Sequence, residues 1–193
     1  GVKCVVDGVR RDHTRRNHTA THLLHAAAKQ VLGDQVQQAG SFVDPDHLRF
    51  DLTYFEKITP DKVTEIEKIV NREILLNNKL NVSVKAFDEA KEEGVVAMFG
   101  EKYGDQVRVV EAGDISKELC GGTHVDRTGD IGLFKVTEES SLASGVRRLV
   151  AVTGDRAVEL VQEQAEILGS LRSLLNCGPD QLAERVESIL SDR

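Results

Sequence analysis

Two histidines four residues apart open the stretch of sequence with the clearest chemical potential. Residues 17–33 read NHTATHLLHAAAKQVLG and contain His18 and His22 at an i, i+4 spacing. Asn17 is typical of a helix N-cap and Gly33 of the residue that follows a helix, so the pattern predicts one helix over this stretch. Residues four apart lie on the same side of a helix. Two imidazoles placed in this way can bind one metal ion.

A second pair with the same offset lies far downstream. The sequence ELCGGTH at residues 118–124 contains Cys120 and His124 in a glycine-rich setting that we do not expect to be helical. Both pairs together form a Cys/His3 set, and zinc prefers four nitrogen and thiolate ligands. Alternatively, the histidines are ordinary surface or hydrogen-bonding residues and the cysteine is a buried apolar one. Because the chain has only six histidines and three cysteines, we favour metal binding by His18, His22, Cys120 and His124.

The role of such a metal stays open at this point. A metal with four protein ligands is normally structural, whereas a catalytic zinc keeps a position for water or substrate. A loose ligand or an expanded coordination would let the metal hold a substrate amine or lower the pKa of a water. His25, three residues beyond His22, is near the same helical face, and we expect it to have a structural or ligand-supporting role. The sequence has no Ser-His-Asp order and no nucleophile elbow. If the site is hydrolytic, we therefore expect water to attack the substrate directly, without a covalent enzyme intermediate.

The composition is typical of a soluble globular protein. The 193 residues are 40% hydrophobic and 30% charged, and no apolar run is long enough to cross a bilayer. No secretory signal is visible at the N-terminus. Cys4, Cys120 and Cys177 are odd in number and widely spaced, which favours a reducing compartment over a disulfide framework. We therefore expect a cytoplasmic location, or an organelle matrix, and no membrane partner.

The charge argues against one class of nucleic-acid binder. A net charge of -7 does not favour binding through bulk electrostatics alone, because phosphate binding depends on clustered Lys and Arg. Local arginine clusters remain as candidate phosphate contacts, although such residues are solvated by default. They are Arg10, Arg11, Arg15 and Arg16 before the histidines, and Arg147 with Arg148 further on.

The remaining patterns predict an α+β fold. Residues 2–6 look like a short strand, and residues 37–42 and 48–55 look like a hairpin with a turn between them. Thr59 starts a second long helix, whose apolar period continues to about Leu76. Later segments alternate as strands do. We expect a largely antiparallel sheet with two long helices packed on it.

The pattern becomes helical from residue 155 onward. Apolar residues recur at helical spacing as far as Cys177, and a second helical piece follows over residues 182–190. We therefore divide the chain into a main domain over residues 1–154 and a helical linker, or the start of a further domain, over residues 155–193. The apolar stripe of these helices could pack on the main domain or bind a partner helix.

Six motifs in order give the chain a resemblance to a known family. They are NHTATHLLHAAAKQVLG, QQAGS at 37–41, FGEKYGDQVRVV at 99–110, ELCGGTHV at 118–125, TGDIGLFKV at 128–136 and SGVRRLVAVTG at 144–154. Together they resemble the editing domain of alanyl-tRNA synthetase over residues 1–154. Threonyl-tRNA synthetase has a related module, but ELCGGTHV fits the alanyl family better. The helical tail resembles the start of the synthetase's C-terminal region, which in the family aids dimerisation and tRNA binding.

The resemblance implies a hydrolytic function. The expected reaction cleaves the ester that links a wrong amino acid, serine or glycine, to the 3′ end of tRNA(Ala). A hydrolytic site separate from the alanine-binding pocket is physically sensible. That pocket discriminates only weakly against glycine, which is smaller than alanine, and against serine, which merely adds a hydroxyl. The implied partners are the acceptor end of misacylated tRNA(Ala) and the rest of the synthetase. Self-association through the C-terminal helices is also possible within this family.

The resemblance also assigns roles to individual residues. Thr21 falls where the family uses a hydroxyl to recognise the serine side chain, and Gln38 where a glutamine lines the pocket. Gly121 and Gly122 permit a tight backbone beside the metal, and their amides can also approach the terminal ribose or the ester carbonyl. By residue type alone, these four would be ordinary helix, strand or loop residues. The family's zinc ligands fall on His18, His22, Cys120 and His124.

Two other functions stay open from the sequence. One is a freestanding trans-editing deacylase built from the same domain, which the family also contains. The other is a non-catalytic, zinc-stabilised module that binds tRNA or a protein and leaves mischarged tRNA intact. The proton acceptor is also undetermined between a hydroxide on the metal, a histidine and the vicinal hydroxyl of the tRNA. No ATP-binding core is recognisable in these residues, so we do not expect the chain to charge tRNA.

Overall fold

The computed structural model describes residues 1–97 and 103–191. Within them the chain forms helices and antiparallel strands, which confirms the predicted α+β class. Residues 99–102, which begin the FGEKYGDQVRVV motif, lie outside the described residues. The elements are α1 (Gly8–Leu32), β1 (Gln38–Val43), β2 (Leu48–Thr53), α2 (Pro60–Leu76), β3 (Asn81–Ala86), α3 (Phe87–Glu92), β4 (Gln106–Ala112), β5 (Ser116–Leu119), β6 (Phe134–Ala143), β7 (Val146–Thr153), α4 (Gly154–Leu175) and α5 (Leu182–Ser191), with 3-10 turns at Thr128–Ile131 and Pro179–Gln181.

The strands form two antiparallel sheets, where the sequence pattern predicts one. The first sheet has the order β1-β2-β7-β6 and the second has the order β3-β4-β5. The predicted hairpin is present, and the backbone amides of Asp46 and His47 each donate to Asp44 Oδ1 at 2.8 Å in its turn. Strand β7 returns to pair with β2, which places Leu149 opposite Phe50. Pairing between strands distant in sequence is not visible in local alternation, so the division into two sheets was not predictable.

Helix α1 begins well before the predicted start. Its N-cap is Asp7, whose side chain accepts a hydrogen bond from Arg10 N at 3.1 Å. The prediction of Asn17 as the N-cap is therefore wrong, because residues 8–16 contain no proline and include arginines that favour helix. Gly33 ends the helix as predicted, with a φ of 113° that favours glycine.

Asn17 instead connects the middle of α1 to the first sheet through hydrogen bonds of its side chain. Its side chain is 1% exposed. The Nδ2 group donates to the backbone oxygen of Asp44 at 2.8 Å, and Oδ1 accepts from Thr153 Oγ1 at 2.7 Å. These bonds fix the segment of the helix that directly precedes His18.

The first seven residues form neither helix nor strand, so the prediction of a strand at residues 2–6 is wrong. Val2 and Val5 are largely exposed, and the described residues offer this segment no partner strand. A strand needs such a partner to satisfy its backbone groups.

Helix α2 begins and ends where the sequence predicts. Thr59 is its N-cap and accepts from Lys62 N at 3.4 Å, while Pro60 occupies the first helical position. Asn77 follows the helix in the left-handed conformation. Helices α1 and α2 pack against each other, and α1 also contacts the first sheet. The core between them includes Leu23, Leu24, Phe50, Ile66, Val70, Phe134 and Leu149.

The chain divides into two units, Gly1–Arg156 and Ala157–Arg193. The first unit contains both sheets with helices α1, α2 and α3. The second contains most of α4 and all of α5, and it exposes large apolar side chains such as Ile167, Leu168 and Leu174. Within the described residues, no helix combines the length and the apolar character needed to span a bilayer.

Replacing Asn17 is expected to destabilise the protein more than replacing the true N-cap. Asn17→Ala leaves the Thr153 hydroxyl and the Asp44 carbonyl without a buried partner, which costs about 2–3 kcal/mol. Asp7→Ala removes a cap at an exposed site, which costs about 1 kcal/mol. Urea unfolding followed by circular dichroism measures both values. An Asn17→Ala loss no larger than the Asp7→Ala loss would contradict the tertiary role of Asn17.

Candidate metal centre and adjoining cleft

Helix α1 presents two of the candidate ligands from adjacent turns. His18 is half-buried and His22 is buried, and their ring centroids lie 5.3 Å apart in an edge-on arrangement. The i, i+4 spacing places both imidazoles on the same side of the helix. Because Asn17 anchors this part of α1 to the first sheet, the position of the pair is fixed by the core.

The other two candidate ligands lie on the loop that follows β5. Strand β5 ends at Leu119, and the backbone amide of Cys120 donates to the oxygen of Arg108 on β4 at 3.0 Å. The loop then passes so close to α1 that a Cβ on Gly122 would lie 2.2 Å from His18 Cε1. Any larger residue at position 122 would have to displace the His18 ring, so glycine favours the approach that brings Cys120 and His124 to the histidines of the helix.

These four side chains form one compact cluster. The candidate ligand atoms of His18, His22, Cys120 and His124 all lie within 4.8 Å of one another. Cys120 Sγ lies 3.4 Å from His18 Nε2 and 3.3 Å from His124 Nε2. In a tetrahedral zinc site with bonds of about 2.0–2.3 Å, neighbouring ligand atoms lie about 3.3–3.8 Å apart. The donor set and its spacing therefore fit a zinc ion.

The Nδ1 atoms of the three imidazoles contact other groups. His18 Nδ1 lies 3.1 Å from the backbone oxygen of Thr123. His124 Nδ1 lies 3.1 Å from Thr19 Oγ1, whose own hydrogen is donated to Arg15 O, so the hydroxyl accepts from the imidazole. His22 Nδ1 lies 2.9 Å from a Glu118 carboxylate oxygen, at ion-pair distance but without hydrogen-bond alignment. Such contacts at Nδ1 would orient the rings for metal binding and would leave Nε2 for an ion.

Glu118 is a functional candidate that the sequence analysis missed. The residue is 4% exposed, and its carboxylate lies 2.9 Å from both His22 Nδ1 and His25 Nδ1. His25 is itself buried and packs against Phe50 at a ring-centroid distance of 5.4 Å. His25 thus lies beside the cluster and contacts it through Glu118. The only indication of Glu118 in the sequence was a charged residue two positions before Cys120.

The cluster and the adjacent carboxylate of Glu118 contain negative groups that are paired with imidazoles. Burial raises the pKa of the Cys120 thiol, but hydrogen bonding with three imidazoles outweighs this effect and lowers the pKa to about 3. Burial also opposes ionisation of Glu118, yet His22 and His25 lower the pKa of its carboxyl to about 2. The pKa of His22 is raised because its contacts with Cys120 and Glu118 outweigh burial, whereas burial lowers the pKa of His124 to about 4. A cation is therefore favoured between the thiolate and the carboxylate.

A cleft of about 420 Å³ opens beside the cluster. His18 and Cys120 contribute to its wall, together with Gln38 from β1 and Gly121 from the loop. Thr21 is not among the described residues that line this cleft, and its buried hydroxyl donates to the backbone oxygen of Asn17 at 2.9 Å. Gly122 is also not among those lining residues; it contacts the ring of His18 instead.

Arg108 is the second candidate that the sequence analysis missed. It lines the same cleft, and its Nη1 group donates to the backbone oxygens of Cys120 and Gly122 at 2.7 and 2.9 Å. The guanidinium thereby holds the loop that carries the cysteine. The only indication in the sequence was a charged residue inside the apolar run of β4, VRVV.

Most of the arginines considered as phosphate contacts already have acidic or backbone partners. Arg15 pairs with Asp12, and Arg16 Nε donates to the backbone oxygen of Asp130 at 2.9 Å. Arg10 and Arg11 on the first turn of α1 are exposed. On the first sheet, Arg147 pairs with Glu139 and Arg148 pairs with Asp51.

Comparison with known proteins shows which proteins this chain is similar to. A family model described as the threonyl and alanyl tRNA synthetase second additional domain matches residues 107–150, which include Cys120 and His124. The chain is 52% identical over 191 residues to the alanine–tRNA ligase of Legionella pneumophila (strain Lens) and 53% identical over 192 residues to that of Halorhodospira halophila (strain DSM 244 / SL1). The resemblance to the alanyl-tRNA synthetases is confirmed.

The match covers nearly all of this chain and a small part of each synthetase. The two alignments cover 99% and 100% of the chain but 22% of each relative. The alanine–tRNA ligase of Thermotoga sp. (strain RQ2) is 53% identical over 184 residues, which are 95% of the chain and 21% of that synthetase. The chain thus spans about a fifth of the length of these alanyl-tRNA synthetases, and the spanned region contains the whole Cys/His cluster.

The affinity for Zn²⁺ is expected to fall as the pH is lowered from about 8 to about 6, by about tenfold per pH unit. The raised pKa of His22 means that the metal-free protein holds a proton there at neutral pH, which the ion must displace. Cys120 adds no such dependence, because its lowered pKa keeps it a thiolate. Calorimetric titration in two buffers of different ionisation enthalpy measures the protons released. Zinc binding that releases no proton at neutral pH would contradict this charge distribution.

Proposed function

We propose that the chain hydrolyses the ester of Ser-tRNA(Ala) or Gly-tRNA(Ala), as the editing part of an alanine–tRNA ligase. The observation that carries the proposal is a Cys/His3 cluster in the wall of an open cleft, in a chain about half identical to alanine–tRNA ligases. Residues 1–154 would form the deacylase domain, and residues 155–193 would belong to the helical region that follows it.

We assign Zn²⁺ as the metal, with His18, His22, Cys120 and His124 as ligands. Three imidazole nitrogens and one thiolate are the donors that zinc prefers, and the lowered pKa of Cys120 supplies the thiolate without a further cost. When bound, the ion would act as a Lewis acid toward the ester carbonyl or orient the substrate amine. Cys120 is then a ligand and not a nucleophile, which agrees with direct attack by water.

The cleft has the size and the polar groups needed for an aminoacylated ribose. Its volume of about 420 Å³ lies within the range of small-molecule sites. Gln38, whose Nε2 group donates to Ser41 Oγ at 3.4 Å, would contact the substrate from β1. Gly121 would let the backbone approach the ester closely.

Thr21 is proposed to recognise the side chain of serine. Its hydroxyl hydrogen is donated to Asn17 O, so its oxygen has free lone pairs and would accept a hydrogen bond from the serine hydroxyl. The proposed contact requires the substrate to reach past the described cleft wall toward the buried face of α1. Gly122 would keep His18 and the loop in contact, and its backbone would remain close to the reacting ester.

The proposed partners follow from the same assignment. Arg10 and Arg11 are exposed and would contact phosphates of the tRNA acceptor end. The exposed apolar residues of α4 and α5 would contact the rest of the synthetase or a second copy of the chain. The three free cysteines agree with a reducing, cytoplasmic location.

Deacylation of Ser-tRNA(Ala), with Ala-tRNA(Ala) as the correctly charged reference, tests the proposal. Cys120→Ala and His22→Ala are expected to lose zinc and to hydrolyse Ser-tRNA(Ala) at least about a hundredfold more slowly, since even partners of metal ligands account for 10–100-fold effects. Cys4→Ala removes an exposed thiol outside the cluster and serves as the matched control.

Circular dichroism establishes that the variants remain folded before their rates are compared. Wild-type protein that binds tRNA(Ala) but leaves Ser-tRNA(Ala) intact would overturn the hydrolytic function and favour a non-catalytic tRNA-binding module. Full hydrolysis by folded, zinc-free Cys120→Ala would overturn the role of the metal.

A further inference from the structure

Arg108 is the only lysine or arginine among the described residues that line the cleft. It lies on β4 and is half-buried, which weakens the screening of its charge by water. Among the described residues, no carboxylate lies within ion-pair distance of its guanidinium. Arg147 and Arg148 differ in this respect, because each has a carboxylate partner. Within the described residues, the guanidinium of Arg108 therefore lies in the cleft wall without an ion-pair partner.

The hydrogen bonds of Arg108 leave part of its guanidinium available. An arginine side chain has five N–H donors, and Nη1 carries two of them. Both Nη1 donors are engaged by the backbone oxygens of Cys120 and Gly122. The three donors on Nε and Nη2 have no hydrogen-bond partner within the described part of the chain. Because the loop bonds already fix the guanidinium, an incoming anion would have little side-chain freedom to restrict.

We propose that Arg108 binds the phosphate group of the terminal nucleotide of the RNA substrate. This inference rests on the proposed function, in which the ester to be cleaved lies at the Cys/His cluster. The ester is attached to the ribose of that nucleotide, and the phosphate on the 5′ side of the same ribose is its nearest anion. A guanidinium with adjacent free donors matches the geometry of phosphate oxygens. Arg108 thus sets the distance between the bound phosphate and the loop that carries Cys120.

Binding of 5′-AMP and of adenosine to the zinc-loaded full chain tests this role. The two ligands share the base and ribose but differ in the phosphate. We expect the wild type to bind 5′-AMP about tenfold more tightly than adenosine, as befits one charge-assisted contact. Arg108→Gln should bind the two ligands within about twofold of each other, because the charge is lost. Arg72→Gln removes an exposed arginine of α2 outside the cleft and should retain the wild-type preference.

Two further measurements separate phosphate binding from the effect of Arg108 on the loop. Zinc content and thermal unfolding show whether Arg108→Gln keeps its metal and its fold. If Arg108→Gln loses its metal or its fold, Arg108→Lys is tested in its place. A lysine keeps the charge, so this variant should retain a preference for 5′-AMP. In the wild type, added salt should reduce the preference for 5′-AMP and leave adenosine binding unchanged.

Several results would overturn the proposal. They are equal binding of 5′-AMP and adenosine by the wild type, binding of neither up to about 10 mM, and an undiminished preference for 5′-AMP in folded, zinc-loaded Arg108→Gln. The proposed function is judged separately by Ser-tRNA(Ala) hydrolysis. If the chain hydrolyses Ser-tRNA(Ala) but shows no preference for 5′-AMP, only the role of Arg108 is refuted. If it shows the preference but does not hydrolyse Ser-tRNA(Ala), only the hydrolytic function is refuted.

Discussion

The close approach of the loop after β5 to helix α1 is the contact on which the proposed chemistry depends. It places the sulfur of Cys120 3.4 Å from His18 Nε2 on the helix, and His124 of the same loop lies 3.3 Å from that sulfur. A half-buried thiolate without a positive partner would be costly, and so would the buried carboxylate of Glu118. The imidazoles, with His22 protonated, supply that partner in the metal-free protein. A metal ion would replace the proton on His22 and hold the same groups together.

The surrounding fold explains why this approach is stable. Asn17 binds α1 to the first sheet, and Thr19 links the helix to His124 through its hydroxyl. On the opposite side, Arg108 holds the loop from β4. The absence of a side chain at Gly122 then permits contact between the loop and His18. The cluster is thus supported from both sheets.

The sequence predicted the cluster better than the elements that support it. His18, His22, Cys120 and His124 were recognisable as candidate ligands because metal sites require particular residue types at short, regular offsets. Asn17 was misread as a helix cap because its residue type suits both a cap and a buried tertiary contact, and only the fold decides between them. Arg108 and Glu118 act across β4, β5 and α1, and such non-local contacts leave no periodic signal. The division into two sheets was hidden for the same reason, since β7 pairs with β2 across about a hundred residues.

X-ray absorption spectroscopy at the zinc edge tests the central claim most directly, because it reports the atoms bound to the ion. The zinc-loaded chain should show one sulfur at about 2.3 Å and three nitrogens at about 2.0–2.1 Å. In Cys120→Ala the sulfur contribution should disappear, although Cys4 and Cys177 remain. A zinc shell without sulfur in the wild type, or a sulfur shell that persists in Cys120→Ala, would contradict a site formed by the loop and helix α1.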